Sequence, residues 1–156
     1  MKILFLDLDG VLNIKYKLAQ DGEPSFDAQC VKYLNAVCEY VDYKIVVTST
    51  WRMRHSVASL QTLLKRRGVE AEILDTIEVP RIDPDTMFAT SVRSRPDDIR
   101  LWLSRNPEVM AYAVLDDVAS TTKEFGLRGI HVASHTGVVR MTMLRLVDCL
   151  TFMLTP

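Results

Sequence analysis

The chain has 156 residues, of which 48% are hydrophobic, and its formal net charge is −1 at pH 7. This length fits a single globular domain, 1–156, whose core is large enough to need neither disulfides nor a structural metal. The nearly balanced charge excludes a global attraction to nucleic acid or to anionic membranes, and leaves only a local basic patch open.

The predicted elements begin with residues 2–7, KILFLD, which are apolar on both faces as in a central parallel strand. The polar residues 14–26 predict a loop. Apolar residues at helical spacing then predict a helix from Asp27 to about Asp42, capped by Ser25 or Asp27.

The next elements repeat this alternation. Residues 44–50, KIVVTST, predict a second strand, and a helix is predicted from about Arg54 to Arg67, where Gly68 ends it. EAEIL predicts a third strand. Two prolines and a lack of periodicity predict a long loop over residues 75–94.

The last third of the chain contains two further strands and two further helices. Pro96 suits the first turn of a helix that runs to about Arg105. AYAVLDD predicts a fourth strand, GIHVA predicts a fifth, and a helix rich in Met and Leu is predicted from about Gly137 to Leu154. Alternating strands and helices predict an α/β fold, a three-layer, Rossmann-like parallel sheet of about five strands with helices on both faces.

Polar residues collect where the predicted strands end. Asp7 ends the first strand, Thr48 and Ser49 end the second, and Asp116 and Asp117 end the fourth. Because parallel strands place their carboxyl ends at one edge of the sheet, these side chains are expected to converge there.

The chemistry of such a cluster suits phosphoryl transfer. An aspartate such as Asp7 is ionised at neutral pH and can attack phosphorus, and Asp9 can act as acid and then as base. Several acids beside an anionic phosphate need a cation, for which Mg2+ is suited. Gly10 permits a sharp turn, and Thr48 supplies a hydroxyl for phosphate oxygens.

The sequence also resembles a known family. DLDGVLN resembles the first motif of the haloacid dehalogenase (HAD) superfamily of phosphohydrolases, VVTST resembles the second, and VLDD resembles the fourth. DGVLN, TSTWR and VLDD together resemble the compact HAD domains of Swiss-Army-knife RNA repair proteins. The resemblance implies a HAD-like fold and a phosphomonoesterase that acts through an aspartyl phosphate.

The resemblance also implies residue roles. Asp7 would be the nucleophile and Asp9 the acid and base. Mg2+ would be held by Asp7, the backbone carbonyl of Asp9, and Asp116, with Asp117 as a further ligand or an anchor. Thr48 and Ser49 would bind phosphate.

The third motif of the superfamily is a lysine at the start of a helix, and this chain has RPDDI there. Arg95 is the expected substitute for phosphate binding, and Arg93 and Lys123 are alternatives. Arginine grips phosphate with a fork of donors, whereas lysine offers a point charge.

WRMRH, residues 51–55, follows the second motif. Trp51 stacking on a base, with Arg52 and Arg54 on a second phosphate, is one interpretation. Packing of Trp51 in the core, with both arginines solvated, is slightly favoured over it.

The segments 11–26 and 75–94 are too short for a folded cap domain, so an open site with no cap or a minimal one is expected. An open site suits a large phosphorylated substrate, such as an RNA or DNA end or a phosphoprotein. No membrane partner is expected, because no apolar run approaches spanning length. The oligomeric state is open, and an exposed stripe on the final helix would suit a dimer.

The three cysteines, Cys30, Cys38 and Cys149, lack metal-binding spacing and predict free thiols in a reducing, cytoplasmic compartment. Two other functions compete with a phosphatase. One is a receiver-like phosphoacceptor domain, although receivers carry their acidic pair on the first strand. The other is a HAD-like binding module without catalysis, against which the intact acids argue.

Overall fold

The computed structural model describes residues 1–14, 18–20, 22–23, 25–79 and 93–152. Its strands form one parallel sheet. Its spatial order is β3-β2-β1-β4-β5. The strands are Lys2–Leu6 (β1), Lys44–Val47 (β2), Ile73–Thr76 (β3), Ala111–Asp116 (β4) and Gly129–His131 (β5). The predicted five-stranded, Rossmann-like α/β fold is confirmed.

Helices connect the strands. They are Ala28–Cys38 (α1), Val57–Arg66 (α2), Arg95–Arg105 (α3), Ala119–Lys123 (α4) and Arg140–Thr151 (α5), and two 3₁₀ turns span Thr50–Met53 and Gly126–Arg128. Within the described ranges, every helix is too short or too polar to traverse a bilayer. All three cysteines are free thiols.

Two hydrophobic cores cover the two faces of the sheet, because successive side chains of a strand point to opposite faces. Leu4 and Leu6 belong to the core that includes side chains of α1, α2 and α5. Ile3 and Phe5 belong to the core that includes Ile99 of α3. Continuing this alternation puts the side chain that follows Leu6 on the α3 face.

The register of the central strands fixes which residues lie side by side. Leu6 is paired with Val47 of β2 and with Leu115 of β4. The backbone N–H of Asp7 donates to the carbonyl oxygen of Leu115 at 3.0 Å, and that of Thr48 donates to Leu6 at 2.9 Å. One row across the sheet edge therefore contains Thr48, Asp7 and Asp116.

The first and last helices differ from their predicted bounds. Asp27 caps α1 by accepting hydrogen bonds from two backbone N–H groups, but the helix ends at Cys38 instead of continuing to about Asp42. The apolar pattern misleads here because Val41 is still buried, although it lies beyond the helix and the turn at residues 39–40. At the other end of the chain, Gly137 has a φ of +60° and lies before α5, and the predicted end at Leu154 lies outside the described residues.

The starts of α2 and β3 also differ from their predictions. α2 begins at Val57, because the preceding residues form a 3₁₀ turn and Ser56 caps the helix. β3 lies at Ile73–Thr76, later than the predicted EAEIL, and its register with β2 shifts at an irregularity between Ile45 and Val46.

No cap domain is evident in the part of the chain that the structure describes. Within the described part of 11–26 and 77–94 the backbone forms turns, bends and irregular structure, and Asp9 and Asn13 form an isolated bridge. Most of the loop predicted around Pro80 and Pro84 lies outside the described residues.

The serine caps of α3 and α2 provide a matched test of what holds the start of α3. Ser94 accepts a hydrogen bond from the backbone N–H of Asp97, and Ser56 accepts one from Ser59. We expect Ser94→Ala and Ser56→Ala each to lower the free energy of unfolding by about 1 kcal/mol in urea denaturation, because each leaves a helix N–H without its acceptor. A negligible loss for Ser94→Ala alone would show that side-chain contacts of α3, and not its cap, hold the start of this helix.

Candidate active site

Three carboxylates meet at the carboxyl edge of the sheet. Asp7 follows β1, Asp116 ends β4, and Asp117 comes next in the chain. One oxygen from each lies within 4.8 Å of the others. Asp7 is 5% exposed and Asp116 is fully buried. Closely spaced carboxylate oxygens are the ligands that hard divalent cations take.

The electrostatics of this cluster favour binding of a cation. Burial raises the pKa of Asp116, and the nearby Asp7 raises it further, although Arg95 acts in the opposite direction. Burial followed by the charge of Asp7 also raises the pKa of Asp117. The carboxylates thus repel one another in a poorly solvated place, and positive charge relieves that repulsion.

Arg95 supplies positive charge from within the chain. It is the first residue of α3, and its Nη1 donates to Oδ2 of Asp7 at 2.9 Å and to Oδ2 of Asp116. Burial lowers the pKa of Arg95, but the two carboxylates outweigh this effect and raise it. The guanidinium is therefore held at the carboxylates in its charged form.

The two alternatives to Arg95 lie elsewhere. Arg93 forms ion pairs with Asp98, at 3.1 Å from its Nε, and with Glu78. Lys123 is exposed in α4. Of the three candidates for the third motif, the structure thus brings only Arg95 to the carboxylate cluster.

Thr48 presents an unsatisfied group at the same edge. The residue is fully buried, and among the described residues its hydroxyl has no hydrogen-bond partner. A buried hydroxyl without a partner is rare, and it points to a ligand or water that would complete it. The hydroxyl of Ser49 is used differently, since it accepts a hydrogen bond from the backbone N–H of Trp51 at 3.4 Å.

Asp9 does not share the cluster of the other three carboxylates. Its Oδ2 accepts a hydrogen bond from the indole Nε1 of Trp51 at 2.8 Å, and its Oδ1 accepts one from Nδ2 of Asn13 at 3.1 Å. The indole ring packs against Phe26 with ring centroids 5.8 Å apart. Trp51 is thus partly buried against the core, and its indole N–H also orients the carboxylate of Asp9.

Arg52 is partly buried rather than solvated, contrary to the interpretation that the sequence favoured. Its Nη1 donates to the backbone oxygens of Thr48 at 2.6 Å and Ser49 at 2.9 Å, and its Nε donates to that of Glu78 at 3.2 Å. Burial and then the charge of Arg95 lower the pKa of Arg52. Arg52 thus holds the turn after β2 in place, whereas Arg54 is exposed as expected.

Sequence reasoning assigned no role to Asn13, to the indole N–H of Trp51, or to His131. The Nε2 atom of His131 lies 3.1 Å from the backbone oxygen of Asp117. Asn13 and Trp51 belong to the motifs DGVLN and TSTWR, so the sequence marked both residues as part of the site region. Their partners are set by tertiary contacts that no spacing in the sequence encodes.

Gly10 allows the first motif to pass beside the cluster. Its φ is +73°, and a Cβ placed on it would lie 2.0 Å from Oδ2 of Asp117. The glycine is needed both for this backbone conformation and for the close approach.

The chain matches, over residues 3–142, the model of a family described as the HAD domain in Swiss Army Knife RNA repair proteins. No curated protein and no solved structure matches it. The matched span includes all seven candidate site residues, Asp7, Asp9, Thr48, Ser49, Arg95, Asp116 and Asp117. The resemblance inferred from the motifs is confirmed.

Gly10→Ala separates backbone strain from displacement of Asp117. A suitable control is Gly126→Ala, because Gly126 has a φ of +55° and open space around its Cα. Both variants should lose about 1–2 kcal/mol of unfolding free energy from the left-handed conformation. We expect Mg2+ to raise the melting temperature of the wild type and of Gly126→Ala. Gly10→Ala should lose this rise, since its methyl group pushes Asp117 away. A full Mg2+ response in Gly10→Ala would contradict a role for Asp117 in cation binding.

Proposed function

The chain belongs to the HAD domain family of Swiss Army Knife RNA repair proteins, and on this premise we propose that it is a Mg2+-dependent phosphohydrolase. It would cleave phosphomonoesters through an aspartyl phosphate on Asp7. The observation that carries this proposal is the convergence of Asp7, Asp116 and Asp117 with Arg95 and with the hydroxyl of Thr48, which has no partner among the described residues. These groups supply a nucleophile, cation ligands and phosphate contacts at one edge.

The donor set of the cluster fits Mg2+, which takes oxygen ligands and commonly uses one or two carboxylates together with substrate oxygens. Asp7 and Asp116 would hold it with the backbone carbonyl of Asp9, and Asp117 would be a further ligand or an anchor. When bound, Mg2+ would offset the negative charge of phosphate beside these carboxylates.

Asp7 would perform the first step by attacking phosphorus through a carboxylate oxygen. The P–O bond to the leaving alcohol breaks, and the phosphoryl group stays on Asp7 as an acyl phosphate. The hydrogen bond from Arg95 to Oδ2 fixes this carboxylate against the sheet edge. Thr48 and Arg95 would contact the other phosphate oxygens, with Ser49 as an additional candidate.

Asp9 would move the protons. Protonated, it gives its proton to the oxygen of the leaving alcohol. Ionised, it then accepts a proton from the water that attacks the acyl phosphate, which releases inorganic phosphate and regenerates Asp7. Trp51 and Asn13 hold the Asp9 carboxylate in one orientation for both steps.

The proposed substrate is a phosphate on a large molecule, with an RNA or DNA end as the preferred class. The family description names RNA repair, and no cap is evident among the described residues. The three free thiols support a reducing, cytoplasmic setting as part of the proposal. A receiver-like role is less well supported, because the acidic pair follows β4 and not β1.

Asp7→Asn tests the nucleophile. We expect it to lower phosphate release from p-nitrophenyl phosphate with Mg2+ by at least about 1,000-fold, because the amide cannot form the acyl phosphate. The circular dichroism spectrum should be unchanged. The exposed Asp42, replaced by Asn, is the matched control and should keep wild-type activity. Normal turnover by Asp7→Asn would rule out the aspartyl phosphate.

Trp51→Phe tests the orientation of Asp9, since it keeps the ring against Phe26 and removes the N–H donor. We expect kcat/KM for an alkyl phosphate to fall roughly 10–100-fold, part of what general acid catalysis contributes. The loss should be smaller for p-nitrophenyl phosphate, whose leaving group needs less protonation.

Phe26→Leu is the control for ring packing, and it should reduce both activities to a similar extent. Equal losses on the two substrates for Trp51→Phe would mean that the indole acts only by packing.

A further inference from the structure

A groove leads away from Asp9 along α2. Its first part, a cleft of about 340 Å³, is lined in part by Asp9, Trp51, Arg54 and His55. Its second part, about 380 Å³, is lined in part by His55, Ser59 and Arg66. His55 and Glu23 line both parts, so the two clefts are adjacent, and together they are called here the α2 groove.

The position of Asp9 determines which part of a substrate would enter this groove. In the proposed reaction Asp9 gives its proton to the leaving alcohol, so that alcohol must lie on the Asp9 side of the phosphate. The α2 groove opens on this side. It is therefore placed to receive the body of the molecule from which phosphate is removed.

Two arginines of the groove have no direct partner among the described residues, and the acids Asp9 and Glu23 also belong to its lining. Arg54 and Arg66 are exposed, and among the described residues neither side chain has a hydrogen-bond or ion-pair partner. Arg54 precedes α2 and Arg66 ends it, and the ten residues of this helix span about 15 Å, so the two arginines are placed to contact different points of a ligand. Arginine presents donors that match phosphate oxygens.

We propose that the α2 groove binds the nucleic-acid strand that carries the terminal phosphate. Arg54 and Arg66 contact separate phosphates of its backbone, beside the aromatic ring of Trp51. This inference rests on the proposed function and adds the position and class of its leaving group. A strand offers phosphates at repeated intervals, as two separated arginines require, whereas a singly phosphorylated peptide offers none beyond the reacting group.

Direct binding tests the groove without turnover. Full-length Asp7→Asn is titrated against a fluorescein-labelled, single-stranded octanucleotide with a terminal phosphate, and anisotropy gives Kd at several salt concentrations. We expect Arg54→Gln or Arg66→Gln to weaken binding roughly 5-fold, and the slope of log K against log salt to fall by about 0.7, the share of one phosphate contact on a single strand.

Lys65→Gln is the matched control. Lys65 neighbours Arg66 on the same helix and is also exposed, but it lies outside the α2 groove. We expect this variant to leave both Kd and salt slope unchanged. Equal losses for Lys65→Gln and Arg66→Gln would overturn the proposal, because they would indicate non-specific attraction to the basic end of α2.

Substrate length provides the second test, with protein that has Asp7 intact. Wild-type kcat/KM should be higher for the phosphorylated octanucleotide than for a nucleoside monophosphate, and Arg66→Gln should shrink this ratio. An unchanged ratio would refute the binding of a nucleic-acid strand in the groove. So would an effect of Arg54→Gln and Arg66→Gln on phosphopeptide binding without an effect on oligonucleotide binding.

The two proposals fail in distinguishable ways. Arginine-dependent binding of the octanucleotide without any phosphate release would refute the phosphohydrolase and keep the groove. Release of phosphate from small esters, together with oligonucleotide binding that neither arginine substitution weakens, would refute the role of the groove and support the phosphohydrolase.

Discussion

Repulsion among three carboxylates is the constraint on which the rest of the structure depends. Asp7, Asp116 and Asp117 each place one oxygen within 4.8 Å of the others at a largely buried edge, where negative charge is poorly solvated. The chain places Arg95 against two of them from the first residue of a helix. Gly10 in turn leaves room for the third. The local backbone geometry is thus adapted to concentrating negative charge and balancing it.

The parallel sheet divides the acids of the first motif into two environments. Asp7 joins the carboxylate cluster, whereas Asp9, two residues later, accepts hydrogen bonds from Trp51 and Asn13 and borders the α2 groove. In the proposed reaction, Asp7 would therefore face the cation and phosphate, and Asp9 would face the leaving part of the substrate. This separation is what a two-step phosphoryl transfer with one nucleophile and one proton carrier requires.

The sequence predicted the features that depend on local pattern. Apolar strands followed by acids predicted the convergence of Asp7 and Asp116, and Pro96 predicted the helix start that carries Arg95 to them. The contacts of Arg52 with Glu78 and of Trp51 with Asp9 could not be predicted, because they join segments 26 and 42 residues apart. The later start of β3 and the earlier end of α1 could not be predicted either, because the buried Ala71 and Val41 lie just outside these elements, and hydrophobic spacing does not distinguish them from regular structure.

The alternation of side chains along β1 has a consequence for how this domain can vary in length. Inserting or deleting one residue between Lys2 and Leu6 would put the two sides of the change out of step. Either Asp7 would leave the face that it shares with Arg95, or the strand residues ahead of the change would exchange cores. Only a change of two residues would keep both arrangements, so single-residue changes within β1 should be poorly tolerated.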